Sequence, residues 1–140
     1  MSGELAQTSK TNELQYGPQG HVAKGGPFNA RQLARIDEAL TLSSRETGLT
    51  FSVYVGEFKT PTRAHAEALF EKLDDRSVLV AVSPGQRVLH IVTGPESAKR
   101  LPNRACALAA LAMRASFANG DLTGGIVTGL RMLADSAGTR

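Results

Sequence analysis

The sequence predicts a single-domain α/β protein in which helices flank a small mixed β-sheet of three to four strands. Its 140 residues suit one domain and bury enough surface to fold without a disulfide or a metal. Segments with helical apolar spacing alternate along the chain with short apolar runs that are typical of strands. The hydrophobic fraction of 41% and the charged fraction of 21% are those of an ordinary globular protein.

The first helix is predicted to begin after Asn29, a favourable N-cap residue. Ile36 and Leu40 continue it at helical spacing, and Gly48 suits a left-handed helix end. Residues 49–55 then alternate apolar and polar side chains, which predicts a strand with one buried face.

A helix and a hairpin follow. The second helix is predicted to begin at residues 60–62 and to end at residues 74–76. Residues 77–82 are apolar without alternation, which favours a strand covered on both faces. A turn at residues 83–86 leads into a further strand at residues 87–93. Since a helix links the first two strands, they should be parallel, and the hairpin makes the sheet mixed.

Two helices complete the predicted domain. Alanine dominates the helix at residues 103–117, so it should pack close to its neighbour, with Leu108 and Leu111 as its larger apolar groups. The last helix follows Asp121 and ends near residue 137. It carries large apolar side chains at steps of four, four and three: Leu122, Ile126, Leu130 and Leu133.

The N-terminal segment, residues 1–28, has no sustained period and is predicted to be a flexible tail before a domain spanning residues 29–137. A short strand at Gln15-Tyr16 or at His21-Val22 is one expectation within it. The start of the chain lacks the apolar core of a signal peptide, and the longest apolar run is too short to span a bilayer. These features predict a cytoplasmic protein, with peripheral contact at the inner membrane left open.

Basic residues are concentrated in the C-terminal part. Residues 84–140 carry seven basic and three acidic side chains. Lys99, Arg100 and Arg104 form a cluster that is a candidate interaction patch for an unknown protein partner or a membrane surface. The cluster is too sparse and too poor in aromatic residues for a typical nucleic-acid module, so weak nucleic-acid binding ranks third.

No familiar catalytic motif is present, and no catalytic residue is assigned. His90 is interpreted as a half-buried strand residue, and Cys106 as a small apolar side chain in its helix. Acidic residues do occur at element ends: Asp74, Asp75, Glu96 and Asp121. In one interpretation they converge at a sheet edge and bind a hard cation such as Ca²⁺. In the other, Asp121 caps a helix and the aspartates solubilise a turn.

Several phrases, in order and spacing, resemble a TPM-type domain. They include residues 35–40, the acidic turn and strand at residues 74–79, residues 92–96, and residues 117–122 with the glycines that follow. The similarity covers residues 29–135 and is greatest to an actinobacterial branch of unknown function (DUF5130-like). It implies an α/β sandwich.

Some relatives in that family are acid phosphatases or calcium binders. The resemblance therefore implies that Asp75, Glu96 and Asp121 hold Ca²⁺ or Mg²⁺. Asn103 stands where the family has an acidic residue, which removes one charge.

Two main hypotheses follow. The first is a non-catalytic interaction or scaffold domain without a cofactor, which is favoured because no catalytic constellation is visible. The alternative is a phosphatase that depends on a divalent cation held by the three carboxylates.

Overall fold

The computed structural model describes residues 27–139, together with the backbone of residues 14–16. The order of elements confirms the predicted alternation of helices and strands. The elements are β1 (Leu14–Tyr16), α1 (Ala30–Thr47), β2 (Thr50–Val55), α2 (Thr62–Phe70), β3 (Ser77–Ser83), β4 (Val88–Thr93), a 3₁₀ turn (Ser97–Lys99), α3 (Asn103–Ala118) and α4 (Leu122–Ala137).

The sheet has the strand order β1-β2-β3-β4 and is mixed, as predicted. β2 and β3 are parallel, in a register that pairs Thr50 with Ser77, and α2 connects them. β3 and β4 form an antiparallel hairpin. β1 pairs antiparallel with β2 and lies within the segment that was predicted to be a tail, at the first of the two expected strand positions. The other position, His21-Val22, lies outside the described residues.

Two apolar clusters form the core, one on each face of the sheet. The larger joins the sheet to α1, α3 and α4, and the buried side chains Phe51, Val80 and Leu130 belong to it. The smaller joins the opposite face to α2 and includes Leu79 and Leu69. The sheet is therefore the middle layer of an α/β sandwich, and β3 is buried along its whole length, as predicted.

The prediction of one buried face for β2 is wrong. Ser52 and Tyr54, which were expected to face solvent, are only 3% and 1% exposed. Tyr54 packs in the smaller cluster with Phe58, so the α2 layer covers this face too. The polar end of Tyr54 is tolerated under that layer because its hydroxyl donates a hydrogen bond to the carbonyl of Glu57 at 2.9 Å.

Local signals place α1 as predicted. The side chain of Asn29 accepts a hydrogen bond from the Gln32 N–H, and the Gln32 side chain accepts one from the Asn29 N–H, which forms a capping box. At the other end Gly48 has a φ of 79°, the left-handed conformation expected of a terminating glycine. Along the described chain, no helix is both long and apolar enough to cross a bilayer.

α3 begins at the predicted residue and ends one residue later than predicted. Its two leucines are among the most exposed large apolar side chains, with Leu108 50% and Leu111 64% exposed. Ala109 and Met113 lie in the core instead. Close packing of α3 against α4 relies on glycines of α4: a Cβ on Gly129 would lie 2.2 Å from Met113 Sδ.

Candidate functional site

Two of the three predicted metal ligands, Asp75 and Glu96, lie at one end of the sheet. Asp75 precedes β3, and its carbonyl accepts hydrogen bonds from the N–H groups of Glu96 and Ser97, each at 3.1 Å. This contact is made by the backbone of Asp75. The carboxylate of Glu96 faces Lys99, whose Nζ lies 3.1 Å from Glu96 Oε2 in an exposed ion pair.

The third predicted ligand, Asp121, lies at the other end of the sheet. It is the N-cap of α4, and its Oδ1 accepts a hydrogen bond from the Gly124 N–H at 2.9 Å. Its neighbours Gly120 and Leu122 line a cleft together with Ser83, the last residue of β3. Since a seven-residue strand spans roughly 20 Å, Asp121 and Asp75 are separated by about the length of β3.

The structure therefore does not bring these three carboxylates together. Among the described residues, no group of three or more histidine, cysteine, aspartate or glutamate side chains could hold a metal ion. Asp121 takes the N-cap role that the sequence also allowed. Asp74 makes an Asx turn, since its Oδ1 accepts a hydrogen bond from the Arg76 N–H at 2.9 Å. Calcium or magnesium binding stays a prediction, without a three-carboxylate site to support it.

Arg100, one of the three residues of the predicted interaction patch, ties two helix ends together. Its guanidinium donates to the carbonyl of Thr47 at 2.7 Å, at the end of α1. It also donates to the carbonyls of Ala137, Gly138 and Thr139, at the end of α4. A cation among the free carbonyls of two helix C-termini is a stabilising arrangement. Arg100 thus has a structural role, whereas the sequence suggested that it belongs to an interaction patch.

The other two residues of that patch are on the surface. Lys99 pairs with Glu96, an interaction between two exposed side chains that is worth little in stability. Arg104 is exposed in the first turn of α3. The patch of three therefore reduces to one cation on the 3₁₀ turn and one on α3.

The outward face of α3 presents apolar side chains at a regular spacing. Arg104, Leu108, Leu111, Ala115 and Ala118 are all exposed, and they recur at steps of four, three, four and three. We call these five residues the outer seam. This alternation of steps is the heptad spacing by which one helix packs along another.

The charge around the outer seam has one sign. Arg114 is exposed beside it, so a guanidinium lies near each end. No acidic residue occurs between Ser97 and Gly120, whereas that segment contains four basic residues. Beyond Arg104, the seam is consequently an apolar stripe within a basic segment.

Two histidines lie against the aromatic side chains of the smaller core cluster. His65 Nδ1 accepts a hydrogen bond from the Lys59 N–H at 2.8 Å. His90 Nε2 is 2.9 Å from the hydroxyl of Thr62. Burial lowers the pKa of both imidazoles, and the charges of Lys59 and Arg63 lower the pKa of His65 and of His90 respectively. Both imidazoles therefore make structural contacts, and His90 is a half-buried strand residue, as predicted.

The single cysteine is part of the core periphery. Cys106 is half-buried against the larger cluster, and burial raises the pKa of its thiol. A raised pKa disfavours the thiolate, the nucleophilic form. Cys106 is a small apolar side chain, as the sequence indicated.

Comparison with protein families matches residues 6–134 to a domain of unknown function, DUF5130. The chain belongs to the DUF5130 family. Two uncharacterised proteins of Mycobacterium tuberculosis, MT2543 of strain CDC 1551 and Rv2468c of strain H37Rv, are each 32% identical to this DUF5130 domain over 117 residues. The alignment covers 82% of this chain and 70% of theirs.

Solved structures of distant proteins share the fold. The N-terminal domain of a protein from P. gingivalis superposes with a TM-score of 0.69 at 14% identity, over 78% of this chain and 75% of that one. The BA42 protein of Bizionia argentinensis superposes with a TM-score of 0.68 at 18% identity, over 79% and 81% of the two chains. At these identities, the similarity establishes the α/β fold of this DUF5130 domain.

The sequence of this DUF5130 domain alone does not identify the outer seam. Both leucines were identified as the larger apolar groups of the helix, without a prediction of the face on which they lie. A signal for the seam was nevertheless present. Met113 and Ala109 lie four residues apart on one side of α3, and Leu108 and Leu111 continue a separate stripe with Arg104. The two stripes could not be ranked without knowing which one faces α4.

Proposed function

We propose that this chain is a non-catalytic interaction domain that binds an amphipathic helix of a partner protein along the outer seam of α3. The observation that carries the proposal is the exposure of Leu108 and Leu111 side by side on a regular helix. Exposed large apolar side chains are normal when scattered singly, whereas a contiguous stripe marks an interaction surface.

The spacing of the seam supports a helical partner. Side chains at alternating three- and four-residue steps form a straight stripe that interdigitates with the same pattern on a second helix, at a crossing angle of about 20°. Ala115 and Ala118 are small, which lets the backbone of the partner approach. A 16-residue helix is about 24 Å long, so the seam can contact a partner helix of three or four turns.

Charge supports an acidic partner and disfavours a second copy of this chain. An antiparallel copy centred between Leu108 and Leu111 would set Arg104 opposite residue 115, next to Arg114 of the other copy. Two guanidiniums at each end of that interface would repel one another. Glutamate or aspartate flanking the apolar stripe of the partner would instead pair with both arginines.

A titration with designed peptides tests this function. A helical peptide with leucines in heptad spacing and glutamates on either side is added to ¹⁵N-labelled protein, and amide shifts are followed by NMR. We expect saturable shifts on α3, and about a tenfold or greater loss of affinity in the double variant Leu108→Ser, Leu111→Ser, because two apolar anchors are removed. The matched control is Leu42→Ser on α1, which changes another exposed leucine of the described residues.

The proposal is wrong if a scrambled peptide of the same composition binds equally well, or if the double variant binds as the wild type does. Vesicles with anionic lipid form a further arm of the test. Vesicle binding that requires the two leucines, without peptide binding, would replace the protein partner by a membrane surface. Both serine substitutions are at exposed positions and should change the free energy of unfolding by less than about 0.5 kcal/mol each.

Two finer expectations belong with this proposal. The order of elements and the Asn-Gly-Asp phrase at residues 119–121 support a TPM-type relationship for this DUF5130 chain. A cytoplasmic location is consistent with a helix-binding role and stays a prediction.

A further inference from the structure

A cleft of about 570 Å³ opens where the β3–β4 turn meets the end of α3. Pro84, Arg87 and Leu89 form one wall, and Arg114 and Phe117 form the other. The volume lies in the range of small-molecule sites. It is separate from the outer seam except for Arg114 and Ala118, which border both.

Two guanidiniums at this cleft have no partner in the part of the chain that the structure describes. Neither the Arg87 side chain nor the Arg114 side chain makes a hydrogen bond or an ion pair there, whereas Arg63 pairs with Glu67 and Arg100 binds four carbonyls. The acidic residue nearest in sequence to the lining, Asp121, is engaged by the Gly124 N–H. Two cations are therefore available to an anion.

The wall that carries Arg87 is fixed. The Gln86 side chain donates to the Phe58 carbonyl at 2.9 Å and accepts from the Phe58 N–H at 2.7 Å, which ties the turn to the loop after β2. Ser83 also donates to Gln86, at 2.7 Å. Arg87 itself has a φ of 57°, a left-handed conformation that is uncommon for a residue other than glycine. A turn held in this way presents the Arg87 side chain at the rim without the entropic cost of ordering a loop.

Apart from Ser83, the other side chains of the lining are apolar. Val82 and Leu89 are buried beneath the cleft, and Phe117 and Leu122 are half-buried at its side. Covering this apolar surface with an apolar group of a ligand lowers the free energy of binding, whereas a fully polar anion would leave the surface exposed to water.

We propose that the cleft binds a small amphiphile, in which Arg87 and Arg114 hold an oxyanion and the apolar body lies on Phe117 and Leu122. The oxyanion is a carboxylate or a phosphate monoester, both of which match the donor fork of a guanidinium. This proposal does not rest on helix binding by the outer seam, although Arg114 flanks both sites.

Titration of ¹⁵N-labelled protein with simple probes tests the proposal. The amphiphilic probes are butanoate, hexanoate, octanoate and hexyl phosphate. Acetate and inorganic phosphate are controls that carry the oxyanion without a long apolar chain, and 1-hexanol is a control that carries the apolar chain without an oxyanion. We expect saturable amide shifts around the cleft for the amphiphiles. Affinity should rise with chain length by up to about fourfold for each methylene that becomes fully buried. The preference between hexanoate and hexyl phosphate then identifies the oxyanion.

Variants localise the binding. Arg114→Gln and Arg87→Gln should each weaken hexanoate or hexyl phosphate binding by about threefold to tenfold, because one charged donor group is lost. Arg131→Gln is the matched control, an exposed arginine on α4 that does not line the cleft. The double variant Leu108→Ser, Leu111→Ser should bind the probes as the wild type does, which separates this site from the outer seam.

Three results would overturn the proposal. They are equal binding of 1-hexanol and hexanoate, inorganic phosphate binding as tightly as hexyl phosphate, and a loss of affinity in Arg131→Gln as large as in Arg114→Gln. Absence of shifts up to the solubility of octanoate would overturn it as well. All three arginines are exposed, so the variants should remain folded, which circular dichroism checks.

Discussion

Arg100 joins the ends of two helices, a role that its neighbours in the sequence do not indicate. In the sequence it lies near Lys99 and Arg104, which suggests a basic patch. In the structure its guanidinium instead donates hydrogen bonds to four carbonyls, those of Thr47, Ala137, Gly138 and Thr139. The five N–H donors of a guanidinium suit such a convergence of acceptors, whereas an ammonium offers three donors from a single point.

Replacing Arg100 should destabilise the fold. We expect Arg100→Met to lower the free energy of unfolding by about 1–3 kcal/mol, because charge-assisted hydrogen bonds at two helix ends are lost. Arg100→Lys should recover little of this. Urea unfolding measures both, and Arg104→Met, on the exposed first turn of α3, should change stability by less than about 0.5 kcal/mol. Equal effects at positions 100 and 104 would contradict the bridging role.

His65 and His90 couple stability to pH. Burial lowers the pKa of each ring below the usual 6.5, so the unfolded chain takes up these protons at a higher pH than the folded chain does. Their contribution to the free energy of unfolding is therefore complete above pH 6.5 and is lost as the pH falls from there towards the folded-state pKa values. Protonation of Nδ1 would also remove the acceptor that His65 offers to the Lys59 N–H.

We expect the urea midpoint to be lower at about pH 5.5 than at about pH 7.5, and the difference to shrink in the variant His65→Asn, His90→Asn. Titration of the imidazole Cε1–H signals by NMR gives the two pKa values directly. A value at or above 6.5 for both rings would contradict the assignment of cause. His21, outside the described residues, stays in both proteins and so cancels from the comparison.

At the scale of the element, the connection after β4 depends on a close approach of two backbones. A Cβ on Gly94 would lie 2.6 Å from the carbonyl oxygen of Asp75 and 3.0 Å from the ring of Phe70. The same carbonyl accepts the N–H groups of Glu96 and Ser97. The Gly-Pro-Glu phrase was noted for its carboxylate, and the structure shows that its glycine makes the closer contact.

Gly94→Ala should therefore be costly. The methyl group meets backbone atoms that cannot rotate away, and we expect a loss of about 1–3 kcal/mol in the free energy of unfolding. Gly85→Ala is the control, since a Cβ there has nothing within 4 Å, and it should be neutral or slightly stabilising. Thermal or urea unfolding of the two variants decides the matter. If the Gly94→Ala protein were as stable as the Gly85→Ala protein, the backbone at Asp75 would have to move away at little cost in free energy, which would contradict this prediction.

At the scale of the whole molecule, the sheet separates the candidate groups. β3 has Asp75 and Glu96 near its first residue, and Asp121 and the arginine cleft near its last. Loops at the two ends of one strand cannot share a site, although all of them looked equivalent as element ends in the sequence. The outer seam lies on α3, and α3 also forms one wall of the cleft. The opposite side of α3 packs against α4, where glycines of α4 allow close contact.

The sequence alone determined the local features of this protein. Capping at Asn29, the left-handed glycine at residue 48, the fully buried strand β3 and the mixed sheet each depend on nearby residues and on the spacing of apolar groups. Such signals are contained within one element or one connection, so they were predictable.

Only the tertiary structure decided which face of each element is covered and which distant groups meet. Tyr54 is buried because α2 lies over it, and Leu108 is exposed because α4 packs on the other side of α3. Arg100 meets Thr47 and Ala137 across long sequence separations. These outcomes depend on how layers stack, which periodicity within a single helix or strand does not encode.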